Sequence, residues 1–422
     1  GTTIVNNGTQ TGFGRTGTVD WITTPKTATF TAVSGEGYFV NTTAGAITVN
    51  LPAGVAGAIV SVADYAATWQ TYNVTVVPNG TDKIGSQNLN VTLNTEGQSV
   101  TLVYVDSTQG WINTMDSTSN VRAGIFICAS VSGACNTLVT APCCANVKIA
   151  TFTGPGSFTV NTISTTPAEN TIGYMVVAGG GGGFLGAGGG GGFREGRNVP
   201  IDNFTASPLV ANAPTNAVIV TATSYPITIG GGGASNTSNG GNSVFSTITS
   251  TGGGRGADYQ GTGNSGGSGG GGGRDVSSTS VGNSPPVSPP QGQNGGGGVS
   301  SGPNSDYIGA GGGGGAGANG NPGTGNSLAV NEQGGAGGNG VANSITGSSV
   351  IRAGGGGGYT QGPGNPGGAG GSGGGGVGGQ GTPNPLSNGT PGTINTGGGA
   401  GGGAPAGGVG GSGIVVIRYK FK

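Results

Sequence analysis

The chemistry open to this chain rests on a few side chains. Histidine is absent from all 422 residues, so no hydroxyl or thiol nucleophile can be activated by an imidazole. Four acids, Asp258, Asp275, Asp306 and Glu332, stand in separate polar segments. Two carboxylates held roughly 5–10 Å apart can cleave a glycosidic bond; the plainer reading is that these four are solvated turn acids. The cysteines Cys128, Cys135, Cys143 and Cys144 fall within a 17-residue stretch. Without histidine a zinc site needs all four thiolates, and the paired C-x-x-C knuckles are missing. Local disulfides are the reading adopted here, with free buried thiols as the alternative. Binding chemistry is better supplied. Tyr259 in "RGADYQGTGN", Tyr307 in "PNSDYIG" and Tyr359 in "GGYTQGPGNP" each stand beside a run of glycines, two of them next to Asp258 and Asp306. Aromatic faces among Asp, Asn, Ser and Thr suit saccharides, through stacking and hydrogen bonds. These five residues are the candidate binding residues; the plainer reading is loop packing. No catalytic residue, metal site or cofactor is expected. G-x-x-x-x-G-K-[ST] does not occur, and G-x-G-x-x-G recurs too often in glycine runs to signify a dinucleotide.

Composition constrains the elements that hold these residues. Glycine is 104 of 422 residues, over three times ordinary usage. Only 6% of residues are charged while 32% are hydrophobic, unlike a disordered chain, which is charged and poor in apolar residues. Net charge is −1 with 13 basic residues, so there is no basic stripe for nucleic acid. No stretch of about 18 apolar residues is present, and no membrane insertion is expected.

Three parts follow. Residues 1–120 read as a β-rich connecting or oligomerisation module: "TFTAV", "AITVNLPA", "AIVSVAD", "NVTVVP", "NVTLN" and "SVTLVYV" are short, β-branched and separated by turn clusters. Trp21, Trp69 and Trp111 are its large apolar bodies, read as core anchors, with sugar stacking as the minority reading. Residues 121–178 form a β segment with the Cys cluster and a hairpin, "FTGPGSFTV". Residues 179–422 alternate glycine runs with polar inserts, then close on a strand, "GIVVIRYKF".

The interruptions of the runs favour a period of three: Ala178, Phe184, Ala187 and Phe193; Gln333, Ala336 and Asn339; Ala400, Ala406, Val409 and Ser412. Leu185, Asn264, Ala318, Val377, Gln380, Ala404 and Pro405 break it. Three residues per turn is the period of the polyproline II helix, whose backbone groups point outward and when buried need partners. The expected fold is therefore an all-β N-terminal part followed by a glycine-rich bundle of polyglycine II helices closed by flanking β-strands, with essentially no α-helix. Phe184, Phe193, Ala187 and Val409 are expected to face a packing partner, and Ser268, Ser372 and Ser412 solvent.

The order "KIATFTGPGSFTV…IGYMVVAGGGGG", "GGNSVFSTITSTGGG", "GGSGIVVIRYKF" resembles the glycine-rich domain common in bacteriophage tail-fibre proteins, and the runs resemble the polyglycine-sandwich adhesins of long tail fibres. The N-terminal strands are similar to β modules of phage fibres. The Cys cluster and the long insert at 194–218 depart from that pattern. The resemblance implies a virion tail-fibre protein, extracellular and non-enzymatic. It would bind a host cell-surface glycan or outer-membrane protein through loops, and contact other virion tail proteins. It also implies a homotrimer through residues 1–120, which a thin core of few large apolar residues favours too. A structural or filament-forming surface protein without a receptor site is the alternative. On this reading Tyr359→Ala weakens host binding and leaves melting unchanged, whereas a Cβ at Gly313 unfolds the bundle.

Overall fold

The computed structural model describes residues 19–117, 125–142, 144–199, 201–301, 307–325, 333–362, 366–381 and 386–422. The protein is all-β; among the described residues its one helical element is a 3-10 turn at Pro167–Asn170. The chain divides into two compact units, 1–123 and 124–422.

The first unit contains β1 (Asp20–Lys26), β2 (Phe30–Thr31), β3 (Glu36–Val40), β4 (Ile47–Asn50), β5 (Ile59–Asp64), β6 (Val74–Val77), β7 (Val91–Leu93), β8 (Ser99–Tyr104) and β9 (Trp111–Ser117). The chain steps between two sheets, β1-β3-β5-β8-β9 and β2-β4-β6-β7. β1, β3 and β5 run parallel in one and β2, β4 and β6 parallel in the other. Parallel neighbours need a crossover, and here the crossover is a strand of the facing sheet. Alternating residues such as Tyr38, Val40, Val49, Val60 and Val74 fill the space between the sheets. Trp69 and Trp111 are fully buried among them, as expected. The indole nitrogen of Trp69 donates to the Val40 carbonyl at 3.2 Å. The Asp64 carboxylate holds its loop by accepting backbone N–H groups of Ala66, Thr68, Trp69 and Gly97. Trp21 is not a core anchor. It lies on edge strand β1, 42% exposed, on the face opposite the core.

The second unit opens with β10 (Cys128–Val131), β11 (Thr137–Ala141), β12 (Cys144–Phe152), β13 (Gly156–Thr162), β14 (Thr171–Val177), β15 (Phe193–Arg197), β16 (Val210–Asn212), β17 (Val218–Ile219), β18 (Ser224–Thr228), β19 (Ser243–Phe245) and β20 (Ile248–Ser250). It continues with β21 (Val299–Ser301), β22 (Tyr307–Gly309), β23 (Val341–Asn343), β24 (Val350–Arg352), β25 (Thr360–Gln361) and β26 (Ile414–Lys420). The strand before the glycines pairs with the strand after them, Val177 opposite Ile414 through to Gly173 opposite Arg418. Both strands are buried on both faces, which is why "GYMVV" and "IVVI" read as continuous apolar runs. Tyr174, Val176, Val415 and Ile417 point into one core with Phe152, Phe158 and Phe245. Met175, Val177, Ile414 and Val416 point into another with Phe193 and Phe204.

Between these strands the glycine runs form a hydrogen-bonded network with one another. Gly181 N–H donates to Gly189, Gly189 to Gly254, Gly254 to Ser268, Ser268 to Gly190 and Gly190 to Gly314, at 2.8 to 3.1 Å. The facing of each position repeats every three residues. A Cβ on Gly179 or Gly182 would strike the carbonyls of Gly231 and Ala234. On Gly180 or Gly183 it would strike those of Gly398 and Gly401, and on Gly181 that of Gly254. The same holds elsewhere: Gly312 and Gly315 face 336–339, and Gly355 and Gly358 face 310–314.

The side-chain placements expected from the period are met in part. Phe193 and Ala187 are buried, Ser372 exposed and Ser412 half-buried. Ser268, however, is wholly buried, and Val409 is 46% exposed. Ser268 sits where the chain bends inside the network, whereas Val409 lies on an outer run. Period alone does not distinguish inner runs from outer ones.

The network predicts a contrast between two glycines of similar local sequence. A methyl on Gly231 would meet no atom within 4 Å, whereas on Gly313 it would occupy the place of the Gly188 carbonyl. Gly231→Ala should leave stability unchanged or raise it by about 0.4–1 kcal/mol, by restricting the unfolded chain. Gly313→Ala should separate neighbouring runs and strand buried backbone groups, each costing about 1–3 kcal/mol. Urea melts of the two variants check this.

Candidate functional site

The run that leaves β14 at Ala178 reverses at Phe184–Gly186, marking the end of the network opposite the paired strands. Other turns gather there. Gly186 N–H donates to Ala257 at 3.0 Å, and Arg274 N–H to the Tyr259 carbonyl at 2.7 Å. Tyr359 N–H donates to Leu185 at 3.1 Å, and β22 pairs with β25. Leu185, Ile308, Ala310 and Tyr359 form a small apolar cluster, with Ala404 against it. Four turns, one β-ladder and this cluster thus make one end of the unit.

The expected binding residues are distributed unevenly on it. Asp258 and Tyr259 are exposed on the 258–262 turn, Tyr259 at 58%. Tyr307 begins β22. Asp306 and Glu332 lie outside the described residues. Tyr359 is not at the surface: it is 1% exposed at the centre of the cluster, and its phenol oxygen has no hydrogen-bond partner among the described residues. Burial pushes that phenol's pKa up, and the Tyr259 phenol adds to the effect. Its place beside a glycine run suggests a loop residue, but the cluster that holds the turns together needs a large apolar body, and Tyr359 supplies it. Asp275 is ion-paired with Arg274 at 3.3 Å, and Asp258 is open to solvent.

Sequence reasoning missed Leu185 and Ile308, which seat Tyr359. One signal was available. Some of the residues that break the period of three mark reversals, namely Leu185 at the 184–186 bend, Ala318 at 316–318, and Ala404 with Pro405 at their own bend, whereas Asn264, Val377 and Gln380 break it without one.

A second assembly lies at the other end, beneath the paired strands, where the long insert at 194–218 is pinned. Arg418 is fully buried, with Nε 3.7 Å from Asp202 Oδ1. Its Nη2 donates to Asn203 Oδ1 at 3.0 Å and to Cys144 Sγ at 3.4 Å, and the guanidinium lies over the Phe204 ring. Glu195 accepts from Ser207 N–H at 2.9 Å and from Asn343 Nδ2 at 3.1 Å. Burial raises its pKa against those bonds. Burial likewise pushes Asp202 up to about 6, opposed by the Asn198 N–H and Arg418. At the rim, burial works to raise Glu169, yet Lys420, at 2.6 Å, and Ser164 hold it below the usual range.

The expected local disulfides do not form among the described cysteines. Cys128 and Cys135 are exposed free thiols, the first on β10 and the second in the turn before β11. Cys144 instead takes the Arg418 contact, and Cys143 lies outside the described residues. β10 pairs with β13, whereas β11 and β12 belong to the other sheet. Closeness in sequence is thereby undone by the division of strands between sheets.

A family model described as a glycine-rich domain matches residues 153–420. No curated protein matches the chain.

The buried positions of Tyr359 and Asp202 can each be tested. Tyr359→Ala should destabilise by about 3–5 kcal/mol, as large-to-small core changes do, while Tyr359→Phe should be neutral or stabilising because it removes an unpartnered buried hydroxyl; differential scanning calorimetry separates them. For Asp202 the sign follows from a folded pKa of about 6 against 3.8. Its favourable contribution is full below about pH 4 and lost as pH rises through 6. Relative to Asp202→Asn, the wild type should gain about 2–3 kcal/mol between pH 7 and pH 4, read from urea melts at each pH.

Proposed function

We propose, from the premise that the chain belongs to the glycine-rich domain family, that it is a virion tail-fibre adhesin. The glycine runs act as a scaffold of polyglycine II helices that presents turns to a host cell surface. The observation that carries this reading is the gathering of the turns at 184–186, 258–262 and 274–275, with β22 and β25, at the end of the network away from its paired strands. Binding residues concentrate on loops held by a rigid scaffold. Facing that repeats every three residues, with hydrogen bonds mostly between neighbouring straight segments, supports polyglycine II. Tyr259 and Asp258 are the recognition residues this reading retains among the described residues, with Tyr307 at the start of β22 a further candidate; Tyr359 is the keystone beneath. The partner is a cell-surface glycan or an outer-membrane protein. The protein is non-enzymatic, and no cofactor enters. Residues 1–120 connect it to other tail proteins and assemble it as a homotrimer, in the virion and outside the cell.

Labelled protein titrated onto a panel of bacterial strains tests the reading. Saturable binding to one strain, reduced about tenfold by Tyr259→Ala with unchanged melting temperature, is the expected result. Absence of saturable binding across the panel would leave the structural-filament alternative in its place. Light scattering of the full chain should give the mass of three copies.

A further inference from the structure

The first unit carries a feature that host attachment by the glycine-run turns does not use. On the face of its five-stranded sheet turned away from the core, the register aligns one row across all five strands. Trp21 lies beside Gly37, Gly37 beside Ser61, Ser61 beside Thr101, and Thr101 beside Met115. The two ends of the row are large and open, Trp21 at 42% and Met115 at 57% exposure. The three residues between them are small. Four strand spacings of about 4.8 Å make a trough roughly 19 Å across. A groove of about 580 Å³ opens there, with Trp21, Ser99, Thr114 and Met115 on its walls, within the size of small-ligand sites.

Gly37 decides how the indole lies. A Cβ at that position would come 2.8 Å from Trp21 Cδ2 and 2.9 Å from Cε3, so the ring rests over bare backbone. Phe39 braces it, with ring centroids 4.9 Å apart and planes inclined by 30°. The result is a flat aromatic platform at one end of the trough. The floor is polar: the hydroxyls of Ser61 and Thr101 bond to each other at 2.7 Å. Asp116, opposite core-facing Val100, turns its carboxylate to the other face of the sheet, where Oδ1 accepts from Gln98 Nε2 at 3.4 Å.

We propose that this trough binds a neutral hexose oligosaccharide, with Trp21 stacking on the C–H face of one ring and Ser99 and Thr114 bonding its hydroxyls. An apolar protein surface laid here would cover the Ser99 and Thr114 hydroxyls and offer them no polar group, at a cost in desolvation. A saccharide matches both the aromatic end and the polar walls. None of the described residues lining the trough is basic, so an acidic sugar would find no counter-ion there. The site stands within residues 19–117 and does not depend on the reading of the glycine-run turns.

The test uses the full chain on a printed panel of neutral and acidic hexose oligomers, followed by calorimetric titration with a retained neutral tetramer. Trp21→Tyr keeps a stacking face, and Trp21→Leu keeps apolar cover without one. The expected result is retention of a neutral oligomer, affinity within about threefold for Trp21→Tyr, and a loss of roughly three- to tenfold for Trp21→Leu, at unchanged melting temperature. Should Trp21→Leu not fold, Met115→Arg at the opposite wall carries the test, with a comparable loss expected. Retention of no oligomer, or of acidic ones only, overturns the proposal. So does equal affinity in wild type and variant. A Trp21→Leu variant that changes the molar mass in light scattering, while wild type retains no saccharide, would show a self-docking face and also overturn it.

Discussion

The second unit depends on backbone groups that find partners only where no Cβ intervenes. Buried N–H and C=O groups must be paired, and in the glycine runs most are paired between neighbouring straight segments, with local bonds at bends such as Gly315 to Ala318. Adjacent runs then sit so close that a methyl at most positions would land on a carbonyl. Glycine carries the largest entropy loss on folding of any residue. The network offsets it with many hydrogen bonds that form together. One consequence is that side chains are driven out of the interior, to the turns, the outer runs and the two ends.

Such a network contains little apolar surface, so the hydrophobic effect must act at its ends. At the root, β14 and β26 are buried on both faces between two aliphatic and aromatic cores. At the far end the much smaller cluster around Tyr359 ties Leu185, Ile308 and Ala310 together. Polar inserts can then project from that end without loosening it. The exposed Tyr259 and the buried Tyr359 have opposite roles although both stand beside glycine runs.

The long insert at 194–218 is bound by charge as well as by packing. Arg418, on the closing strand, reaches Asp202, Asn203 and Cys144, so the last strand and the insert stabilise each other. A buried ion pair contributes little net energy, but removing one partner strands the other. The first unit is organised by apolar alternation between two sheets, and its Gly37 and Trp21 are matched on the outer face for a reason of shape alone.

Much of the fold is legible in the residues themselves. Alternation and β-branching mark β4, β5, β6 and β8 directly, and continuous apolar runs mark β14 and β26, because each pattern reflects how many faces are buried. The three-residue period anticipates which glycines share a neighbour. β1, β3 and β9 escape such reading: "DWITTPK", "EGYFV" and "WINTMDS" mix polar, proline and glycine residues, and sheet pairing overrides weak propensity. Neither burial depth nor partner choice can be read either. Trp21 and Trp69 are alike in sequence terms, yet one lies on an edge strand and the other in the core. Cys128, Cys135 and Cys144 are close along the chain, yet lie on β10, in the turn before β11 and on β12. Tyr359 resembles Tyr259 until Leu185 and Ile308 arrive from elsewhere to enclose it. Local pattern determines what a segment can pair with, because period and propensity are properties of neighbours in the chain. Which side chains end up buried, exposed or joined at one end is decided by contacts between distant segments, and those exist only once the sheets and runs have assembled.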